Sequence, residues 1–178
     1  MDTVKILDKE FELFISESKI NEVISSLAEQ ITKDLADTDP VFLGILNGAF
    51  LFASDLLKQI KFPCIISFLK LATYQGTIST GKVKRLIGIN EDLKNKTVII
   101  LEDIIDTGFT LQQIKKQLVG YEPKEIKVAT LFFKPNAYQT NDKIDYIGME
   151  IPNNFIVGYG LDYNGYGRNL TSVYKLKK

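Results

Sequence analysis

Residues Val98 to Leu111 read VIILEDIIDTGFTL. Four apolar residues run straight into two adjacent carboxylates, Glu102 and Asp103. Two isoleucines follow, then Asp106-Thr107-Gly108-Phe109-Thr110. An unbroken apolar run is what a strand buried on both faces looks like. Strands of that kind belong to parallel sheets, whose ligands sit in the crevice beyond the strands' carboxyl ends. Glu102, Asp103 and Asp106 fall at that place. Three carboxylates, two hydroxyls and a glycine at one strand-to-helix turn are costly to hold together unless something binds there.

The neighbouring segments support an α/β class. Glu10 to Ile15 partly alternates and suggests a short strand. Ser16 or Ser18 is placed to cap a helix in which Ile20, Val23, Ile24, Leu27, Ile31 and Leu35 make one apolar stripe. That helix fades before Pro40. Val41 to Leu46 reads as the first buried strand, Asn47-Gly48-Ala49 as a tight turn, Phe50 to Ile60 as a helix and Cys64 to Leu71 as a strand. Strand-helix-strand order implies a right-handed parallel crossover. Ala72 to Arg85 is polar, carries Gly76 and Gly81, and predicts a long functional or disordered loop. A short strand is predicted at Ile87 to Ile89. Beyond the opening stretch, Thr110 and Gln113 suggest a capping box and Gly120 a helix end. Ile126 to Phe133, Tyr146 to Ile151, Phe155 to Tyr159 and Val173 to Leu176 read as further strands.

Composition removes several chemistries. The chain has no histidine and one cysteine, Cys64. Zinc sites of the Cys/His kind and Ser-His or Cys-His nucleophiles are therefore excluded, as is an intrachain disulfide. Hard oxygen ligands remain, which favour magnesium. Lys+Arg and Asp+Glu both number 22, so no global basic field invites nucleic acid. No apolar run approaches ~18 residues and the start lacks a signal-peptide pattern. The expected setting is a reducing cytoplasm, with no membrane and no nucleic-acid partner. The 178 residues fit one domain.

Chemically, the opening stretch divides in two. Glu102 and Asp103 can accept the hydroxyls of a ribose and help hold magnesium. Thr107, Thr110 and the turn amides face the start of a helix, which suits a phosphate. Gly108 removes a side chain that would block close approach.

ILEDIIDTGFT resembles the 5-phosphoribosyl-1-pyrophosphate motif of the type I phosphoribosyltransferases. Matches from about Val41 to Arg168 make the chain similar to the hypoxanthine-guanine phosphoribosyltransferases in particular. The resemblance implies a mostly parallel sheet flanked by helices. A small hood over the strand ends would come from the N-terminal segment and about 134–178. It implies Mg2+-dependent transfer of phosphoribose to N9 of hypoxanthine or guanine, giving IMP or GMP and pyrophosphate. Glu102 and Asp103 would bind the ribose hydroxyls and metal. Asp106 would be the general base near N7. Asp106, Thr107, Gly108, Phe109 and Thr110 would wrap the 5'-phosphate. Lys134 would donate to the purine 6-oxygen, which an ammonium, having donors only, prefers to a 6-amino group. Phe155 would stack on the purine and Ile156 offer its backbone to the ring edge. Asp162, in the same purine-side segment, would bind a second magnesium through water, and Arg168 would contact pyrophosphate. Asn47 and Gly48 match the pyrophosphate loop, where an unusual peptide geometry is expected before the glycine; many relatives carry Lys or Arg at the place of Asn47. Thr73 and Tyr74 match a mobile loop that closes over the site. A homodimer or homotetramer is expected from the same resemblance. The rival readings are a xanthine-preferring transferase and a non-enzymatic regulator of the same fold.

Overall fold

The computed structural model describes residues 2–72 and 84–177. In chain order the elements are β1 (Thr3–Ile6), β2 (Lys9–Ile15), α1 (Glu17–Leu35), β3 (Pro40–Leu46), α2 (Phe50–Leu57), β4 (Ile65–Ala72), β5 (Lys84–Ile87), β6 (Thr97–Ile105), α3 (Phe109–Val119), β7 (Glu125–Phe133), β8 (Tyr146–Glu150), β9 (Ile156–Val157) and β10 (Val173–Leu176). The main sheet has the order β5-β4-β3-β6-β7-β8. All its pairings are parallel except β4 with β5, which is antiparallel. A second, antiparallel sheet has the order β1-β2-β10-β9 and joins the two ends of the chain.

Alternation along β6 explains the layering. Ile99 and Leu101 pack with α1 and α2, through Ile24, Leu27, Ile31, Phe52 and Leu56. Val98 and Ile100 pack with α3, through Leu111, Ile114 and Leu118. Successive strand residues point to opposite faces, so a strand covered on both sides must be apolar throughout. Each fully buried Ile or Leu contributes about 1.5–3 kcal/mol. The stripe on α1 buries Ile20, Ile24, Leu27, Ile31 and Leu35 as its spacing predicts, and Ser16 caps the helix by accepting from Lys19 N.

The strand order also places the site. After β3 the chain moves through α2 to β4 on one side; after β5 it returns to β6 on the other side of β3. Helices α2 and α3 lie on opposite faces. The connections after β3 and β6 thus diverge, leaving a crevice between them, the usual ligand position in open parallel sheets.

Several boundaries differ from expectation. Strand β1 was not expected, because VKILDKE carries a Leu7-Asp8 turn with no glycine; Leu7 takes a left-handed φ of 54° instead. Helix α2 ends at Leu57, short of Ile60. The strand expected at Ile87 to Ile89 lies earlier, at Lys84–Ile87, where it pairs with β4. Only Ile156–Val157 of the Phe155 to Tyr159 segment is strand, because Gly158, Tyr159 and Gly160 all take positive φ. Helix α3 starts at Phe109, so Thr110 is already inside it and the capping box does not form. Gly120 is the C-cap but is right-handed; the left-handed residue is Glu122. The loop expected at Ala72 to Arg85 is narrower at both ends, since Ala72 belongs to β4 and Lys84 to β5. Its remainder, including Thr73 and Tyr74, lies outside the described residues.

Candidate active site

Glu102 and Asp103 are not beyond β6 but within its second half, and both are buried. Asp103 continues the face of Ile99 and Leu101, toward α2. Glu102 continues the face of Val98 and Ile100, toward α3. Burial pushes the Glu102 carboxyl well above its ordinary value, and the charge of Asp103 adds to that. Asp103 is pushed up to about 6, by burial first; backbone amides and Arg168 oppose the rise, and Asp162 adds to it. Among the described residues no ion pair reaches either carboxylate. Two desolvated carboxylates without an ion-pair partner among the described residues suit hydroxyl donors or a hard cation. No group of three or more His, Cys, Asp or Glu side chains converges among the described residues. The donor set therefore fits a cation that takes one or two protein oxygens and completes its shell elsewhere, as magnesium does.

Asp106 to Thr110 form the strand-to-helix turn. Gly108 has φ 86°, and a Cβ there would lie 2.5 Å from the Tyr138 ring and 2.6 Å from Thr140 Oγ1. The glycine is thus required by backbone conformation and by the Tyr138–Thr140 segment beneath it. That segment is fastened to the turn, since Gln139 N donates to Thr107 O at 3.0 Å. With no side-chain cap on α3, the first-turn amides keep their donors for a ligand. A small cavity of about 100 Å³ opens there, lined by Glu102, Asp106, Thr107, Gly108 and Thr110 among others.

Register brings Lys134 to this turn. Ile105 pairs with Phe133, so the residues after them, Asp106 and Lys134, emerge side by side. Lys134 Nζ donates to Asp106 Oδ2 at 3.1 Å. Lys134 is buried, whereas the Asp106 side chain is 49% exposed. An anchored cation therefore holds a carboxylate that remains open to solvent.

A second cluster forms on the opposite face. The peptide between Leu46 and Asn47 is cis, one bond ahead of the position expected. A Cβ on Gly48 would lie 1.8 Å from Asp103 Oδ2, and one on Gly160 would lie 2.1 Å from Gly48 O. Arg168 Nη1 donates to Gly160 O at 2.6 Å, and its Nη2 pairs with Asp162 Oδ1 at 2.5 Å. Asp162 Oδ2 accepts from Gly165 N at 2.6 Å. Asn47-Gly48, Asp103, Asp162 and Arg168, drawn from three distant segments, are thus one packed group.

Phe155 and Ile156 belong to neither set of contacts. Ile156 is buried in the small sheet opposite Lys175. Phe155 is 47% exposed and is backed by Phe11 and Tyr163, with ring centroids 6.2 and 6.0 Å away. Lys9 Nζ lies 4.7 Å from the Tyr163 ring centroid and 5.9 Å from that of Phe155. Sequence reasoning missed Gly160, Lys9, Phe11 and Tyr163. No local pattern marks the last three, whereas two glycines flanking a tyrosine, Gly158-Tyr159-Gly160, were a readable signal of an unusual backbone.

Known proteins share this fold. The family model described as the phosphoribosyl transferase domain matches residues 16–164. A hypoxanthine-guanine phosphoribosyltransferase of Staphylococcus aureus (strain Mu50) is 38% identical over 167 residues, 93% of each chain. A crystal structure of a hypoxanthine phosphoribosyltransferase from Staphylococcus aureus superposes with a TM-score of 0.87 at 38% identity, covering 93% of this chain and 91% of that one. One from Trypanosoma cruzi, a variant in a ternary complex with substrates, gives 0.86 at 28% identity, covering 93% and 94%. A parallel sheet whose crevice gathers Gly48, Asp103, Asp106, Lys134 and Arg168, and a family match across most of its length, make this chain a member of the phosphoribosyltransferase family.

Proposed function

We propose that the protein is a purine-salvage enzyme that transfers phosphoribose from 5-phosphoribosyl-1-pyrophosphate to N9 of hypoxanthine or guanine. The bond from C1' to the pyrophosphate oxygen breaks and the bond from C1' to N9 forms. The observation that carries this reading is the Lys134–Asp106 pair at one end of a crevice whose other end is the Gly48–Asp103–Asp162–Arg168 group.

The turn Asp106 to Thr110 holds the 5'-phosphate through uncapped helix amides and the Thr107 and Thr110 hydroxyls. Glu102 and Asp103 take the ribose hydroxyls from the two faces of the strand end. Lys134 donates to the purine 6-oxygen, so purine binding shares the ammonium that Asp106 holds alone in the free protein. Asp106, open to solvent and beside that oxygen, accepts the proton the purine loses near N7. Phe155 stacks on the base and Ile156 meets its edge through the backbone. Arg168 and the Asn47-Gly48 turn receive the departing pyrophosphate. Glu102 and Asp103 would help hold magnesium, and Asp162 a second ion through water; the metal would neutralise charge on the leaving group.

That site is rich in acid. Glu102, Asp103, Asp106 and Asp162 face only Lys134 and Arg168 among the described residues, and Asn47 adds no charge. A polyanionic donor therefore depends on added divalent cations to enter. The chain acts as one domain, with the small sheet and the segment after Lys134 as a hood. It works in the cytoplasm as a homodimer or homotetramer. Exposed Ile66 and Phe68 on β4 offer apolar surface for that association.

The test is pyrophosphate release from the donor with magnesium and, in turn, hypoxanthine, guanine, xanthine and adenine. Turnover with hypoxanthine or guanine and none with adenine is expected. Turnover with xanthine alone would favour the xanthine reading, and none with any base would sink the proposal.

A further inference from the structure

The pyrophosphate group is assembled from two pieces of chain that share no strand pairing. One is the Asn47-Gly48 turn at the start of α2. The other is the segment from Gly158 to Arg168, between β9 and β10. Their backbones touch, since Gly160 lies against Gly48 O with no room for a Cβ. Contact alone does not fix spacing; something must hold the second piece down.

Tyr159 is placed to do so. It takes a left-handed φ of 47° between Gly158 at 98° and Gly160 at 94°, a conformation L residues adopt only when their surroundings demand it. The turn drives its side chain into the core, where it is buried. Its hydroxyl donates to Asp55 Oδ2 at 2.6 Å, and Asp55 lies on α2, whose first turn follows Gly48. Lys58 pairs with the other carboxylate oxygen at 2.6 Å. Burial pushes the Asp55 carboxyl up, but hydrogen bonds from Lys58 and Tyr159 outweigh it and hold it below its ordinary value. The carboxylate therefore stays charged and keeps accepting. The backbone of the same turn is closed by Tyr159 N to Leu170 O at 2.8 Å and Gly160 N to Arg168 O at 3.0 Å.

We infer that Tyr159 and Asp55 are positioning residues for the pyrophosphate leg, a strut that sets the distance between the Gly48 turn and the Asp162–Arg168 hairpin. This rests on the transferase reading for the identity of the ligand. The purine leg has separate supports, because Phe155 O accepts from Leu176 N and Lys134 N donates to Ile105 O. Loosening the strut should therefore weaken pyrophosphate binding selectively.

The experiment compares Tyr159→Phe with Tyr146→Phe. Tyr146, on β8, is equally buried and donates to Asp34 on α1 at 3.2 Å, outside both pieces, so it supplies a matched loss of a buried Tyr–Asp bond. Binding of magnesium pyrophosphate is measured by calorimetry, melting temperature by scanning, and the two KM values by initial rates. Tyr159→Phe should weaken pyrophosphate about tenfold and raise donor KM to match, with purine KM within twofold. Tyr146→Phe should lower the melting temperature comparably and leave pyrophosphate affinity unchanged. Asp55→Asn should reproduce Tyr159→Phe, and the double variant should be no worse than either, which also covers a Tyr159→Phe that does not fold. Unchanged pyrophosphate affinity in Tyr159→Phe or Asp55→Asn, or an equal rise in both KM values, would overturn the strut. Wild-type protein that binds pyrophosphate but turns over no purine would defeat the transferase reading and leave the strut standing.

Discussion

The two ends of the crevice are built on opposite plans. At the pyrophosphate end, Gly48, Asp103 and Gly160 are packed until no Cβ fits, and Asp103 is buried. At the purine end, Asp106 is half exposed and one ion pair to Lys134 organises it. On the proposed function the closed end, already ordered, grips a flexible polyphosphate without further ordering. On the same reading the open end exchanges a proton with a base that enters and leaves, which an accessible carboxylate permits. Position on the strand decides the difference. Asp103 lies inside β6, between layers, and Asp106 is the first residue past it.

If that division is right, damage at each end should read out differently. The largest effect is expected for Asp106→Asn, which keeps shape and removes the base. Its kcat should fall about 10²–10⁴-fold in steady-state assays, with donor KM little changed. Gly48→Ala comes next. Its Cβ must displace the Asp103 carboxylate, and a shift of that order should cost about 10²-fold in kcat/KM for the donor. Lys134→Met should raise purine KM about 10–100-fold, the worth of a hydrogen bond from a charged donor, with donor KM nearly constant.

The smallest effect is on stability. Asp103 and Glu102 have folded-state values above their unfolded ones, so the folded chain holds more protons and stability falls as pH rises through about 6. For Asp103 the shift from 3.8 to about 6 is worth at most roughly 3 kcal/mol. Without ligand, wild type should melt a few degrees lower at pH 8 than at pH 5.5, and Asp103→Asn should flatten that slope. Asp55 and Glu91 are held below their ordinary values and matter only in more acid solution. Metal and donor affinity should move the other way, weakening below about pH 6 as Asp103 takes a proton.

Much of this was legible in the chain itself. The run Val98 to Leu101 announced a doubly buried strand because both faces must be apolar, and the stripe on α1 followed from helical spacing. The turn at Asp106 to Thr110 was readable because glycine and hydroxyls cluster only where a ligand or an unusual backbone needs them. What could not be read was non-local. Nothing near Gly48 says that Asp103 and Gly160 will press on it, and nothing near Lys9 says that it will cover Tyr163. The capping box failed for a local reason: a left-handed Gly108 caps the helix two residues early, so Thr110 lies inside it and the first-turn amides carry no side-chain cap.

Titration of the donor, 5-phosphoribosyl-1-pyrophosphate, with magnesium into Asp103→Asn and Asp106→Asn by calorimetry tests the division most directly. Asp106→Asn should bind within about threefold of wild type, and Asp103→Asn at least about tenfold more weakly, the scale of one lost charge-assisted contact. Equal losses, or a larger loss in Asp106→Asn, would contradict it.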